Sequence, residues 1–211
     1  MYIPFPETDI YCITDSRQSL GRSTVDVVRH MLEAEIRVIQ YREKDKEAKA
    51  MLEECQIIRE LTRKAGCCFL VNDHVDIALL CEADGVHVGQ DDLPLAYVRK
   101  LVGRQRVVGV STHRWSEAEA AIRGGADYIG VGPVFATKTK TTTPPVGFSY
   151  LEEAAEQATI PTVTIGGINE KTLPEVRRRG ARCCGIVSAI TLAPDIPAKV
   201  RELRAIMRGV R

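Results

Sequence analysis

Six consecutive residues, Ile39-Gln40-Tyr41-Arg42-Glu43-Lys44, bring an amide and two cations into alternation behind an apolar run. In a β-strand the side chains at i, i+2 and i+4 share a face, so Gln40, Arg42 and Lys44 point the same way. Two cations in phase at a strand end suit an anion better than they suit a core. Arginine offers a planar fork and lysine a point charge. Arg42 and Lys44, joined by Lys140 from a later loop, therefore form a candidate clamp for a diphosphate. The plainer alternative is two surface ion pairs, Arg42 with Glu43 and Lys44 with Asp45.

A second polar strand end, Val71-Asn72-Asp73, supplies a carboxylate, and Asp92 supplies another. Mg²⁺ is held by one or two carboxylates together with water and phosphate oxygens, so Asp73 and Asp92 form a candidate metal pair. Either could instead cap the helix that follows it. Ile165-Gly166-Gly167-Ile168 and Val187-Ser188 suggest a further phosphate site, built from backbone N–H groups where glycine permits close approach. A tight turn is the competing explanation of the paired glycines. His87 and His113 fall near strand ends, where a lone histidine is more often structural than catalytic.

These residues need a scaffold that gathers eight strand ends on one side. Apolar strand patterns recur at 10–14, 38–41, 67–72, 85–88, 107–111, 128–132, 162–165 and 183–187. Amphipathic helical patterns alternate with them at 25–34, 47–65, 75–81, 95–101, 117–123, 150–157, 173–179 and 196–207. Eight such units in 211 residues predict a single (β/α)₈ TIM barrel, α/β in class, over residues 1–211. Near-continuous Val, Ile and Cys in the strands fits a parallel sheet buried on both faces. The active site of such a barrel lies at the C-terminal strand ends, where Thr14, Asp15, Gln90 and Ser111 join the residues above. The polar loop around Thr137, Thr139 and Lys140 is far longer than a usual connection of about 4–6 residues and invites a functional reading.

The bulk composition narrows the partners. A net charge of +1 gives no global field for nucleic acid or an anionic membrane. Aromatic content of 5% offers little for stacking bases. No apolar run reaches the roughly 20 residues that span a bilayer, and residues 1–9 lack a signal pattern, so a cytoplasmic location is expected. Seven cysteines include two adjacent pairs but no Cys-x-x-Cys, which reads as small hydrophobes in a reducing compartment. A homo-oligomer is compatible with all of this.

Taken together and in order, the motifs resemble the thiamine phosphate synthase (thiamine-phosphate pyrophosphorylase) family. The matching stretches are Tyr11-Cys12-Ile13-Thr14-Asp15, Gln40-Tyr41-Arg42-Glu43-Lys44, Val71-Asn72-Asp73 and His87-Val88-Gly89-Gln90-Asp91-Asp92. They continue with Gly109-Val110-Ser111-Thr112-His113, the run from Gly130 to Lys140, Ile165-Gly166-Gly167-Ile168 and Val187-Ser188-Ala189-Ile190. The resemblance implies a transferase that joins hydroxymethylpyrimidine diphosphate to thiazole phosphate, giving thiamine phosphate and pyrophosphate. It implies a pyrimidine beside Gln40 and His87, and a diphosphate on Arg42, Lys44, Asn72, Ser111, Thr139 and Lys140. It puts Mg²⁺ on Asp73 and Asp92, Thr137 at the thiazole side, and the thiazole phosphate on Gly167, Val187 and Ser188. Among these, Arg42, Lys44, Ser111 and Lys140 are the expected catalytic groups. The Thr141-Thr142-Thr143-Pro144-Pro145 stretch departs from the commoner family form of this loop.

Three rivals share the barrel. A thiazole tautomerase would use His113 as acid and base but would need neither clamp nor metal pair. A non-catalytic thiazole-phosphate-binding barrel would have no use for the metal residues. A sugar-phosphate isomerase or epimerase would share the glycine turn but leave the Gln-x-Arg-x-Lys strand end unexplained.

Overall fold

The computed structural model describes residues 4–137 and 143–210. Eight parallel strands close into a barrel in chain order, the first pairing with both the second and the eighth. They are β1 (Ile10–Ile13), β2 (Val38–Tyr41), β3 (Cys68–Asn72), β4 (Gly85–Val88), β5 (Val107–Thr112), β6 (Tyr128–Val131), β7 (Thr162–Ile165) and β8 (Cys183–Ile186). The helices around them are α1 (Thr24–Glu33), α2 (Ala48–Ala65), α3 (Val75–Leu80), α4 (Leu95–Val102), α5 (Trp115–Arg123) and α6 (Gly147–Gln157). The set continues with α7 (Leu173–Arg178), a single turn α8 (Ser188–Thr191) and α9 (Ile196–Gly209). The predicted units are all present, with ends shifted by a few residues. The α8 turn and a 3₁₀ turn at Ser16–Gln18 were not predicted, because four- and three-residue segments carry no periodicity.

Period-two alternation sorts the strand residues into two layers. Tyr11, Ile13, Val38, Leu70, Val107, Tyr128 and Val163 fill the barrel interior. Their neighbours Ile10, Cys12, Ile39, Tyr41, Phe69 and Val71 face outward into the shell packed by helices. Helix α2 shows how that shell is built. Met51, Cys55, Ile58 and Thr62 fall on one stripe and are buried, while its polar face is exposed. Gly66 ends it in the left-handed conformation (φ 63°), and Arg63 and Lys64 occupy the last turn, where cations complement the helix dipole. Truncating Ile58 to alanine would cost about 2–5 kcal/mol through lost burial and the cavity left behind.

All seven cysteines are buried and free. Burial pushes the Cys67 and Cys184 thiols up to about 12, so they stay protonated and inert, as small hydrophobes do.

At the N-terminal end of the barrel three aspartates precede strands, and each meets an arginine. Arg59 forks onto both oxygens of Asp84 at 2.8 and 2.9 Å, and Asp84 also accepts the Phe69 N–H at 2.8 Å. Asp127 accepts from Arg99 and from the Val108 N–H, each at 2.7 Å. Asp9 accepts from Arg204 at 3.1 Å and from the Ile10 N–H at 2.7 Å. The Ala-Asp dipeptides before β4 and β6 are thus clamps that tie helices to strand starts.

Candidate functional site

The opposite end of the barrel holds a cavity of about 480 Å³, ringed by strand tips. The alternation that points Gln40 inward carries past the end of β2, so Gln40, Arg42 and Lys44 all line this cavity. The ion pairs considered from sequence do not form. Arg42 instead reaches Asp15 of the β1 loop at 3.6 Å, with side chains 12% and 3% exposed. Glu43 points the other way, is buried, and accepts hydrogen bonds from Ser16 and Thr24. Asp45 lies near Arg17 at 3.5 Å, and Lys44 bonds the carboxylate of Asp73. Although burial pushes the Asp15 carboxyl up, hydrogen bonds from Arg17 and Gln18 outweigh it and hold the group below its ordinary range. Asp15 therefore stays ionised and orients Arg42.

Asp73 does not cap α3. His74 occupies that position, and Asp73 adopts a left-handed backbone (φ 62°) that is strained for a non-glycine residue. Its N–H bonds the His87 carbonyl at 2.8 Å, pinning the turn to β4. Asp92 lines the same cavity, and its carboxylate acts on that of Asp73. Asp92 does not cap α4 either; it accepts the Gly89 N–H at 2.7 Å, and Pro94 holds the cap position. Burial raises the Asp73 carboxyl, Lys44 lowers it and Asp92 raises it again, leaving it above its ordinary range. Two hard oxygen donors in mutual repulsion, aimed into a cavity, fit a divalent cation better than they fit each other. Among the described residues no cluster of three or more His, Cys, Asp or Glu could hold a metal ion, so such an ion would draw its remaining ligands from water and phosphate.

The far wall is backbone. Gly166 (φ 101°) and Gly167 (φ 66°) require glycine conformation, and Val187 and Ser188 stand beside them at the cavity rim. Contact explains the glycines as much as any anion does. A Cβ on Gly166 would sit 2.3 Å from Pro133, and one on Gly167 would sit 2.8 Å from Phe135. Asn169 lies ahead of α7 without holding its cap position. It makes a side-chain turn, accepting the Lys171 N–H at 2.9 Å and the Thr172 N–H at 3.3 Å, and Thr172 is the cap residue.

Asn72, His87, Ser111 and Thr137 also line the cavity. Thr139 and Lys140 lie outside the described residues. His113 also borders the cavity, its backbone N–H on Glu117 at 2.9 Å and its ring Nδ1 3.4 Å from the same carboxylate.

Two tyrosines were not singled out from sequence. Tyr11 and Tyr128 lie on the cavity floor, their hydroxyls 2.8 Å apart. Gln40 Nε2 donates to Tyr11 at 2.7 Å, and His87 bridges Tyr128 at 2.7 Å and Ser111 Oγ at 2.8 Å. A Cβ on Gly109, the register neighbour of both His87 and Tyr128, would sit 2.1 Å from the Tyr128 ring. That inward glycine was the available signal. Its missing side chain lets the ring lie across β5. Phe5 closes the floor from below, stacked on Tyr128 at 4.2 Å between ring centroids.

A closed parallel barrel with paired cations, paired carboxylates and a glycine turn around one mouth is a (β/α)₈ barrel whose mouth has the charge to take a small anionic molecule. Residues 10–190 match the family model described as thiamine monophosphate synthase. The thiamine-phosphate synthase of Pelotomaculum thermopropionicum is 56% identical over 202 residues, covering 95% of this chain and 93% of that one. That of Lawsonia intracellularis is 52% identical over 199 residues, covering 94% and 92%. The structure of thiamine phosphate pyrophosphorylase from Pyrococcus furiosus superposes with a TM-score of 0.87 at 35% identity, covering 96% of each chain. The chain belongs to the thiamine monophosphate synthase family, a family of transferases. No helix among its described residues is long and apolar enough to cross a membrane.

Proposed function

We propose that this chain, acting as one barrel unit over residues 1–211, joins hydroxymethylpyrimidine diphosphate to thiazole phosphate, releasing pyrophosphate and forming thiamine phosphate. The observation that carries the assignment of roles is the meeting, in one cavity, of Arg42 and Lys44 with Asp73 and Asp92, across from the Gly167 turn.

The chemistry suits a site so poor in nucleophiles. The amino-substituted pyrimidine can stabilise positive charge on its exocyclic carbon, so the C–O bond to diphosphate breaks with the electron pair leaving on oxygen. The ring nitrogen of the thiazole then supplies the pair for the new C–N bond. Arg42 and Lys44, with Lys140 of the loop, balance the charge that gathers on the departing group. Asn72, Ser111 and Thr139 give it hydrogen bonds. Gln40 orients the pyrimidine edge, and His87 lies beside the ring. Gly167, Val187 and Ser188 hold the thiazole phosphate through backbone N–H groups, so the attacking nitrogen is positioned by a remote part of its own molecule, with Thr137 beside the ring. Mg²⁺ held by Asp73 and Asp92 would supply further positive charge against the diphosphate when bound.

The tautomerase reading is not favoured, since a proton shift on the thiazole gives the carboxylate pair and the Arg42–Lys44 strand end nothing to do. A discontinuous assay of pyrophosphate release tests the assignment. Release that needs both substrates and Mg²⁺ is expected. Metal-independent isomerisation of the thiazole, with no pyrophosphate, would overturn it.

A further inference from the structure

The cavity floor carries a continuous line of hydrogen bonds from Gln40 through Tyr11, Tyr128 and His87 to Ser111. Tyr11 and Tyr128 are buried, and among the described residues their hydroxyls bond only within this line; with each phenol spending its one hydrogen there and a neutral imidazole carrying one N–H, the line can run in only two directions. If Gln40 donates, Tyr11 must pass its hydrogen to Tyr128, and Tyr128 must donate to His87 Nδ1. The proton of His87 then sits on Nε2 and points at Ser111 Oγ. Ser111 accepts there, and its own hydrogen is left for the cavity. If the line ran backwards, His87 would carry its proton on Nδ1, and Ser111 would spend its hydrogen on Nε2. It would then present only lone pairs to whatever binds.

Gln40 Nε2 faces the Tyr11 oxygen at 2.7 Å, which selects the first direction. The surroundings keep the line intact. Burial pushes both phenols far above their ordinary range, so each retains its hydrogen. Gly109 leaves the space that the Tyr128 ring occupies. Ser111 lines the cavity, and among the described residues the hydrogen bond shown for its Oγ is the one to His87.

We propose that Tyr128, with Tyr11 behind it, is a positioning residue whose hydroxyl fixes the Nε2–H form of His87 and thereby makes Ser111 a hydrogen-bond donor to the departing diphosphate. No covalent bond changes within the line; Ser111 keeps its proton and only directs it. The direction matters because a diphosphate oxygen offers acceptors alone. The same serine with its hydrogen turned away would repel the charge it should stabilise. A well-aimed donor of this kind is worth on the order of 10²-fold in turnover.

The proposal rests on the transferase reading above, and its first test does not. Nitrogen-15 spectra of the substrate-free wild-type protein read the His87 tautomer directly. The Nε2–H form is expected, and an Nδ1–H form would overturn the proposal whatever the enzyme makes. Tyr128→Phe removes the donor to Nδ1. The expected result is loss of the single tautomer and a kcat lowered by at least about tenfold, with KM for thiazole phosphate within about twofold. Tyr11→Phe leaves Tyr128 able to donate, so it should keep the tautomer and lose less turnover than Tyr128→Phe. Equal losses in the two variants with an unmoved tautomer, or a lower melting temperature alone, would reduce both tyrosines to packing. If Tyr128→Phe does not fold, the wild-type and Tyr11→Phe spectra still decide. Pyrophosphate release by the wild type, measured in parallel, separates a failure here from a failure of the transferase assignment.

Discussion

The two ends of the barrel use the same charged residue types to opposite effect. At the N-terminal end, Asp84 with Arg59 and Asp127 with Arg99 are matched one to one, and each aspartate also takes a backbone N–H. At the mouth, Asp73 and Asp92 crowd one another, Lys44 serves Asp73, and Arg42 bonds Asp15 while still facing the cavity. These pairs at the first end are neutralised by the chain itself. The second is left unbalanced, and an unbalanced, partly desolvated set of charges is completed by a ligand. Charge therefore holds the fold together at one end and awaits a charged small molecule at the other.

The largest test of that contrast is at the mouth. Arg42→Ala should lower kcat by about 10²–10³-fold, the usual scale for removing a preorganised charge partner of a developing anion. KM for thiazole phosphate should change by about twofold or less, and the melting temperature little. Steady-state kinetics with both substrates would check it; an unchanged kcat would remove Arg42 from the clamp. Next comes the closed end. Asp84→Ala strands the Arg59 guanidinium and the Phe69 N–H, and should cost about 3 kcal/mol in urea unfolding, with turnover of the folded fraction unaltered. A loss of turnover without a loss of stability would erase the division between the two ends.

A smaller effect, of opposite sign, is expected from Asp92→Asn. The amide can still accept the Gly89 N–H but no longer repels Asp73. In a chelator the melting temperature should rise by about 2–4 °C, the shift that roughly 1 kcal/mol gives a chain of this size. The stabilisation that Mg²⁺ gives the wild type should vanish in the same variant. A fall in melting temperature, or an undiminished response to Mg²⁺, would argue against a shared metal site.

The smallest effect is the pH dependence of that response. The folded-state pKa of Asp73 is raised, so the metal-free protein loses stability as pH climbs from the ordinary carboxylate value through the raised one. Metal binding needs the ionised form and opposes that loss. The Mg²⁺-induced rise in melting temperature should therefore shrink as pH falls from about 7.5 toward 5. A response that grows on acidification would place the metal elsewhere.

Several features of the site were legible in the chain because they are local. Gln40, Arg42 and Lys44 share a face by strand period alone, and that period runs three residues beyond the last residue of β2. Asp73 and Asp92 follow apolar strands, which is where a barrel gathers its chemistry. Their partners were not legible. Arg42 with Glu43 is adjacent in sequence, yet alternation turns Glu43 into the shell between barrel and helices, so Arg42 finds Asp15 of another loop. Asp73 looked like a cap because it stands two residues ahead of α3; a left-handed backbone at that residue swings its carboxylate toward Lys44 and Asp92 instead.

The amino-acid sequence by itself determined the number of units, the parallel order of the strands and which strand tips would carry charge, since these follow from hydrophobic period and residue type within a dozen positions. Only the closed barrel decided that Tyr11 and Tyr128, 117 residues apart, would touch hydroxyl to hydroxyl beneath the cavity. The physical reason is stagger and space. Strands on opposite sides of a barrel meet only after closure, and the ring of Tyr128 reaches the axis only because Gly109 leaves its place empty.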